Sequence, residues 1–276
     1  MTNASVEPQA RHSSFVIRHF LTMAKFTKPV REWVPSCFLV MHDKNVSTSI
    51  RYSPMHIQRA DVSYFSSIKI YGRNPVNPIW SADSGAMHID DVFNIDSAKI
   101  AADLGVEKLL AYGEAFNHTP DMAPPTPNVA MPVHMHFSST DGSMFGHLAS
   151  FFIFGAPRSV QRGDFYYENF PGARVDEDHH ISAFVINPFV RPGRFRVIIV
   201  DAEFGRWESP EMTVKGKNVA EWTSIGSDCP RSKNPIGIIV KADLKTSTFF
   251  ATRAADGMMI GLDHGHPFLA QVLDHQ

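Results

Sequence analysis

The sequence predicts a mainly β protein, a β-sandwich or β-barrel with a short helical insertion around residues 92–116, and three observations carry that expectation. Short runs rich in Val, Ile, Phe, Tyr and Thr recur along the chain, the composition that fits a pleated, half-buried surface. Turn formers punctuate them, with Asp-Gly at 141 and 256 and Arg-Pro-Gly at 191–193. Only one stretch spaces its apolar residues as a helix does. With 276 residues, 43% of them hydrophobic, the chain has ample material for a core.

Taken in order, residues 1–30 carry little periodicity and read as an N-terminal arm, with 31–276 as a single β-rich domain. From Trp33 to Ile70 the runs SCFLVM, STSIRY and VSYFSSIKIY, bounded by Asp-Lys-Asn, Ser-Pro and Gly-Arg-Asn, predict strands. In DVFNIDSAKIAADLGVEKLLAYGEAF, Val92, Ile95, Ile100, Leu104, Leu109 and Leu110 recur at roughly helical spacing and Gly105 marks a break. Two short helices are expected there. The prolines of HTPDMAPPTPNVAMP exclude helix and make 118–131 a candidate sub-boundary between two β-rich halves. Beyond it VHMHF, ASFFIFG, DFYYENF, HISAFVINPFV, RFRVIIVDAEF, EMTVKG, IGIIVKADL and STFFATR read as strands.

Charge narrows the functional classes. The 26 basic and 28 acidic side chains nearly cancel, so no overall attraction to a phosphate backbone or anionic lipid is expected. No apolar run reaches the roughly 20 residues that span a bilayer. Cys37 and Cys229 form no C-x-x-C pair, which removes disulfide frameworks and cysteine-rich zinc modules. Arg18 and His19 interrupt the apolar part of the N-terminus, so a secretory signal is not expected. Its Arg, Lys and Ser content matches a transit peptide in composition only, and a cytoplasmic location is the simplest expectation.

Walker loops, G-x-G-x-x-G, G-x-S-x-G and H-E-x-x-H are all missing from the sequence. What stands out is histidine, 14 in all, clustered at His134-Met-His136, His147, His179-His180 and His264-Gly-His266. On a strand, residues i and i+2 share a face. His134 and His136 therefore present two imidazoles to one point, a two-ligand edge for a transition metal with positions left open for substrate. The bland alternative is a pair of hydrogen-bonded strand histidines with no metal. Asp176-Glu-Asp178-His-His180 fits a solvated turn, although a carboxylate beside imidazole is also how metal-ligating histidines are oriented.

The string Pro132-Val-His134-Met-His136-Phe137, a turn with Asp141-Gly142, and Ser150-Phe-Phe-Ile-Phe154-Gly155-Ala-Pro157 resembles the histidine-ligand region of intradiol ring-cleaving dioxygenases. The resemblance covers about 25 residues, with a weaker echo at Pro78-Ile-Trp80-Ser-Ala-Asp83-Ser-Gly85. It implies a β-sandwich in which two histidines and two tyrosines bind ferric iron. Met131 stands where that family carries arginine, and no tyrosine follows Gly85, so Tyr112 and Tyr71 are the upstream candidates. The same H-x-H with Asp141 and the later His179-His180 also resembles a cupin, which implies one metal in a β-barrel. His88-Ile-Asp90 with His147 resembles, loosely, the facial triad of 2-oxoglutarate oxygenases. Asp141-Gly-Ser-Met-Phe-Gly146-His147-Leu is similar to the turn of hotdog thioesterases, which implies acyl-thioester chemistry without metal, and also to a PPC domain.

The common part of the metal-binding resemblances is a mononuclear non-haem site in an all-β scaffold. His134, His136, His147 and His180 are the candidate metal ligands, and Tyr112 and Asp141 the candidate catalytic residues. Iron, or another divalent transition metal, is the implied cofactor. A small aromatic or apolar oxygenated molecule is the expected substrate, with neither nucleic acid nor membrane as partner and a homo-oligomer left open. The rivals are a metal-free hotdog acyl thioesterase or dehydratase and a non-catalytic β-rich ligand-binding protein.

Overall fold

The computed structural model describes residues 35–53, 63–118, 133–139, 143–149, 151–152 and 165–268. Nine strands of the first half form one antiparallel sheet: β1 (Ser36–His42), β2 (Ser47–Tyr52), β3 (Phe65–Tyr71), β4 (Pro78–Asp83), β5 (Phe93–Asp96), β6 (Leu109–His118), β7 (His134–Ser138), β8 (Met144–Ala149) and β9 (Phe151–Phe152). The second half supplies β10 (Tyr166–Ala173), β11 (His179–Asn187), β12 (Gly193–Asp201), β13 (Gly205–Glu208), β14 (Met212–Val214), β15 (Asn218–Thr223), β16 (Ile236–Ala242), β17 (Ser247–Ala254), β18 (Met259–His264) and β19 (His266–Phe268). β11, β15, β17 and β18 make a four-stranded sheet, and the remaining six strands make another.

Burial shows how these sheets stack. A strand with one wet face alternates buried and exposed residues, as β16 does with Ile236, Ile238 and Val240 turned inward. β11 instead is buried at every position from Ile181 to Asn187. Its Phe184 and Ile186 pack in one core with Phe38, Leu39, Tyr112, Met135 and Phe137 of the nine-stranded sheet. Its Ile181, Ala183 and Val185 pack in a second core with Phe195, Val197, Ile238 and Val240 of the six-stranded sheet. The four-stranded sheet is thus a middle layer covered on both faces.

The nine-stranded sheet splits beside β1. β1 pairs with β6 along its length but with β2 only at His42↔Ser47, and β5 takes over the β2 edge from Ser49 onward. Side chains serve the backbone groups left in the gap. Thr48 Oγ1 accepts from Met41 N–H and donates to Met41 C=O, both at 2.9 Å, and Leu39 N–H donates to Met135 Sδ at 3.3 Å. A buried backbone group without a partner is costly, which makes Thr48 part of the ladder.

The mainly β expectation holds, and the helical insertion is one helix, α1 (Ser97–Leu104), where two were expected. Gly105, left-handed at φ 66°, ends it by donating to Ala101 and Ala102 carbonyls. The next segment, LLAYGEAFNH, is a central strand between β3 and β1. A strand buried on both sides reads as a run of apolar residues, and over so short a length that run mimics helical periodicity. The expected arm at 1–30 and most of the proline-rich 118–131 segment lie outside the described residues. No described helix is long and apolar enough to cross a membrane.

Candidate functional site

Met135 and Phe137 of β7 are fully buried in the first core, while His134 and His136 alternate with them at half exposure. The core side is fixed independently by Gly146 of β8, where a Cβ would stand 3.3 Å from Leu262 Cβ and 3.5 Å from Phe137 Cδ2. His134 and His136 therefore face away from the middle layer. Across β7, His136 pairs with Ser49 of β2 on one side and with His147 of β8 on the other, and His134 pairs with Arg51. Directly opposed residues of an antiparallel pair are close neighbours. The register brings position 147 beside the H-x-H pair, which no spacing in the sequence could establish.

The rest of this face is polar. Ser49 Oγ donates to Asn94 Oδ1 at 2.7 Å, and Arg51 Nε reaches both Ser49 Oγ and Asn94 Oδ1 at 3.3 Å. One guanidinium thus lies beside the two histidines, where it favours an anionic oxygen on an incoming molecule. Neutral imidazoles suit Zn, Fe, Cu and Ni, and half-exposure leaves the positions reachable. Among the described residues no group of three or more His, Cys, Asp or Glu side chains is placed to hold a metal ion.

Other candidate residues lie elsewhere. Asp141 is outside the described residues. His180 is the second residue of β11 in the middle layer, paired with Arg253 of β17, and its Nδ1 is buried without a hydrogen-bond partner among the described residues. Its position shares a face with Phe184 and Ile186, beneath the nine-stranded sheet, whereas His134 and His136 project from that sheet's opposite side. Its neighbour His179 bonds Asp176 Oδ1 at 2.9 Å, which caps the turn before β11. Tyr112 is also on the core side, three strands from β7 in the order β6-β1-β2-β7.

Tyr112 belongs to a polar cluster that the sequence reading missed. Its hydroxyl donates to Glu114 Oε1 at 2.9 Å and accepts from Cys37 Sγ at 3.0 Å. Lys217, just before β15, approaches the same carboxylate at 2.9 Å from Oε1 and 3.1 Å from Oε2, and its ammonium lies 4.3 Å from the centre of the Tyr71 ring. Burial holds the Tyr112 hydroxyl and the Cys37 thiol protonated, their values pushed well above the ordinary range. The available signal was a lone acid inside the apolar run LLAYGEAF. Lys217 lies 103 residues from Glu114, beyond any local pattern.

A shallow groove of about 340 Å³ lies on the six-stranded sheet. Its Arg194, Arg196 and Lys241 are balanced by Glu208, Glu211 and Asp243, leaving no net charge to select a ligand. Compared with protein-family models, curated proteins and solved structures, the chain matches none.

Proposed function

We propose that the protein is a mononuclear, non-haem metal-dependent enzyme of the oxygenase type, acting on a small aromatic or apolar oxygenated substrate at the β7–β8 face. The observation that supports this reading is the β7–β8 register, which sets His147 opposite His136 with His134 two residues along. His134, His136 and His147 would hold the metal, iron by resemblance, and three protein ligands leave positions for other molecules. When bound, the metal supplies a Lewis-acid and redox centre for oxygen chemistry. Arg51 binds and orients an anionic oxygen of the substrate, and Asn94 fixes Arg51 and Ser49 in place through the bonds given above. The buried Met135 and Phe137 hold β7 in register, so the histidines keep their face.

Elemental analysis of the purified, untagged chain tests this reading. The expected result is near-stoichiometric iron or another divalent transition metal, lost in the His134→Ala/His136→Ala protein and reduced at least tenfold in affinity in His147→Ala. Oxygen uptake with catechols and related aromatics should then follow metal content. Metal-free wild type after growth in iron-supplemented medium, with folding unchanged, would remove the proposal. It would favour acyl-thioester chemistry or simple ligand binding instead.

A further inference from the structure

Lys217 is the one described non-glycine residue with positive φ, at 44°. For a long side chain this left-handed conformation is strained, and residues held so are over-determined by their surroundings. Here the surroundings are explicit. Lys217 N–H donates to Phe189 C=O at 2.7 Å and Asn218 Nδ2 donates to Gly72 C=O at 2.7 Å. Gly216 lies so close to Val190 that a Cβ would stand 1.8 Å from its carbonyl oxygen. Glycine at 217 would remove the strain, so the lysine side chain itself is what the conformation delivers. It delivers the amine against both oxygens of Glu114, a carboxyl only 3% exposed on a different sheet.

We propose that Lys217 and Glu114 condense in the folded protein to an intramolecular isopeptide bond, tying the nine-stranded sheet covalently to the middle layer. One proton passes from Nζ to the carboxylate it touches, giving the neutral amine and neutral acid that condensation uses. Lys217 Nζ then attacks Glu114 Cδ. The N–C bond forms and one C–O bond breaks. Nζ keeps a single hydrogen, and its other two leave on the departing oxygen as water. No oxidant, metal or co-reactant is required. The Tyr112 hydroxyl already donates to Oε1 at 2.9 Å, so a donor stands where negative charge develops on the attacked group. The amine and carboxyl are pre-positioned by the fold, which removes most of the entropic cost of bringing them together. The product is neutral and ends the desolvation penalty of the ion pair.

The test is the intact mass of the full-length wild-type chain under denaturing conditions after incubation in the folded state, followed by peptide mapping. The expected result is a mass lighter by one water in most molecules, with the peptides carrying Glu114 and Lys217 recovered as one branched species. Lys217→Arg should return the full mass. Full mass in the wild type overturns the proposal and leaves an ordinary ion pair. So does a water loss mapped elsewhere, such as a succinimide at Asp256-Gly257. The map on the wild type decides the matter even if the arginine chain does not fold.

Discussion

Glu168 on β10 is 3% exposed, and burial pushes its carboxyl from an ordinary value of 4.5 up to about 8, against the opposing pull of hydrogen bonds from Thr248 and Thr246 and the charge of Lys245. The sign of the resulting pH dependence follows from proton counting. Below the unfolded value both states hold the proton. Between that value and about 8 only the unfolded chain has lost it, so stability falls as pH rises through this window and levels off above it. The full span amounts to a few kcal/mol, on the order of 5. Glu168→Gln should therefore raise the thermal midpoint near pH 9 and leave it almost unchanged near pH 4, a pattern that differential scanning calorimetry reads directly. An equal effect at both pH values would mean that the side chain's shape matters and its ionisation does not. Cys37 gives a second prediction at this scale. Fully buried, with its thiol bonded to Tyr112, it should resist alkylation in the native protein and react only on unfolding, while half-exposed Cys229, raised to about 12, reacts slowly at neutral pH. None of this was legible in the sequence, because burial of a single acid or thiol depends on which distant strands close over it.

At the scale of elements, β6 shows how one glycine permits a central strand. Gly113 pairs with Phe38 of β1, and a Cβ there would stand 2.1 Å from the Phe38 ring. Gly113→Ala should cost about 1–3 kcal/mol by overpacking, read as a lowered urea midpoint at constant slope. Phe38→Leu in the same chain should recover part of that loss, since neighbours that share a contact are not additive. Full additivity would show that the two residues do not compete for space. β7 and β8 are the opposite case. Their strand character and the common face of His134 and His136 follow from period-2 alternation alone, so the H-x-H edge was readable. The opposition of His136 and His147 was not, because register depends on how the residues between the two strands turn.

At the scale of the whole molecule, the described residues form a stack of three sheets around two cores that share their middle layer. Phe184 of β11 serves the first core and Phe250 of β17 the second, although the two residues sit on neighbouring strands paired along their length. Phe184→Ala and Phe250→Ala should each cost about 3–5 kcal/mol. Because both cores rest on the same sheet, each variant should still unfold in a single transition. With Trp33 and Trp80 replaced by phenylalanine, since Trp80 packs against the first core, Trp207 and Trp222, with ring centres 6.0 Å apart at the second core, provide a local fluorescence probe to set against far-UV circular dichroism. Separate transitions, with fluorescence following only the Phe250 variant, would show that the two cores fold independently.

The sequence by itself determined the β class, most of the strands, the near-neutral surface and the H-x-H edge. Each rests on local periodicity or composition, which a stretch of chain carries with it. Only the tertiary structure decided that LLAYGEAFNH is a central strand, that β11 is wet on neither face, and that Lys217 meets Glu114 across two sheets. These depend on which surfaces cover one another. The energy of covering them comes from residues far apart in the chain, and no local pattern records it.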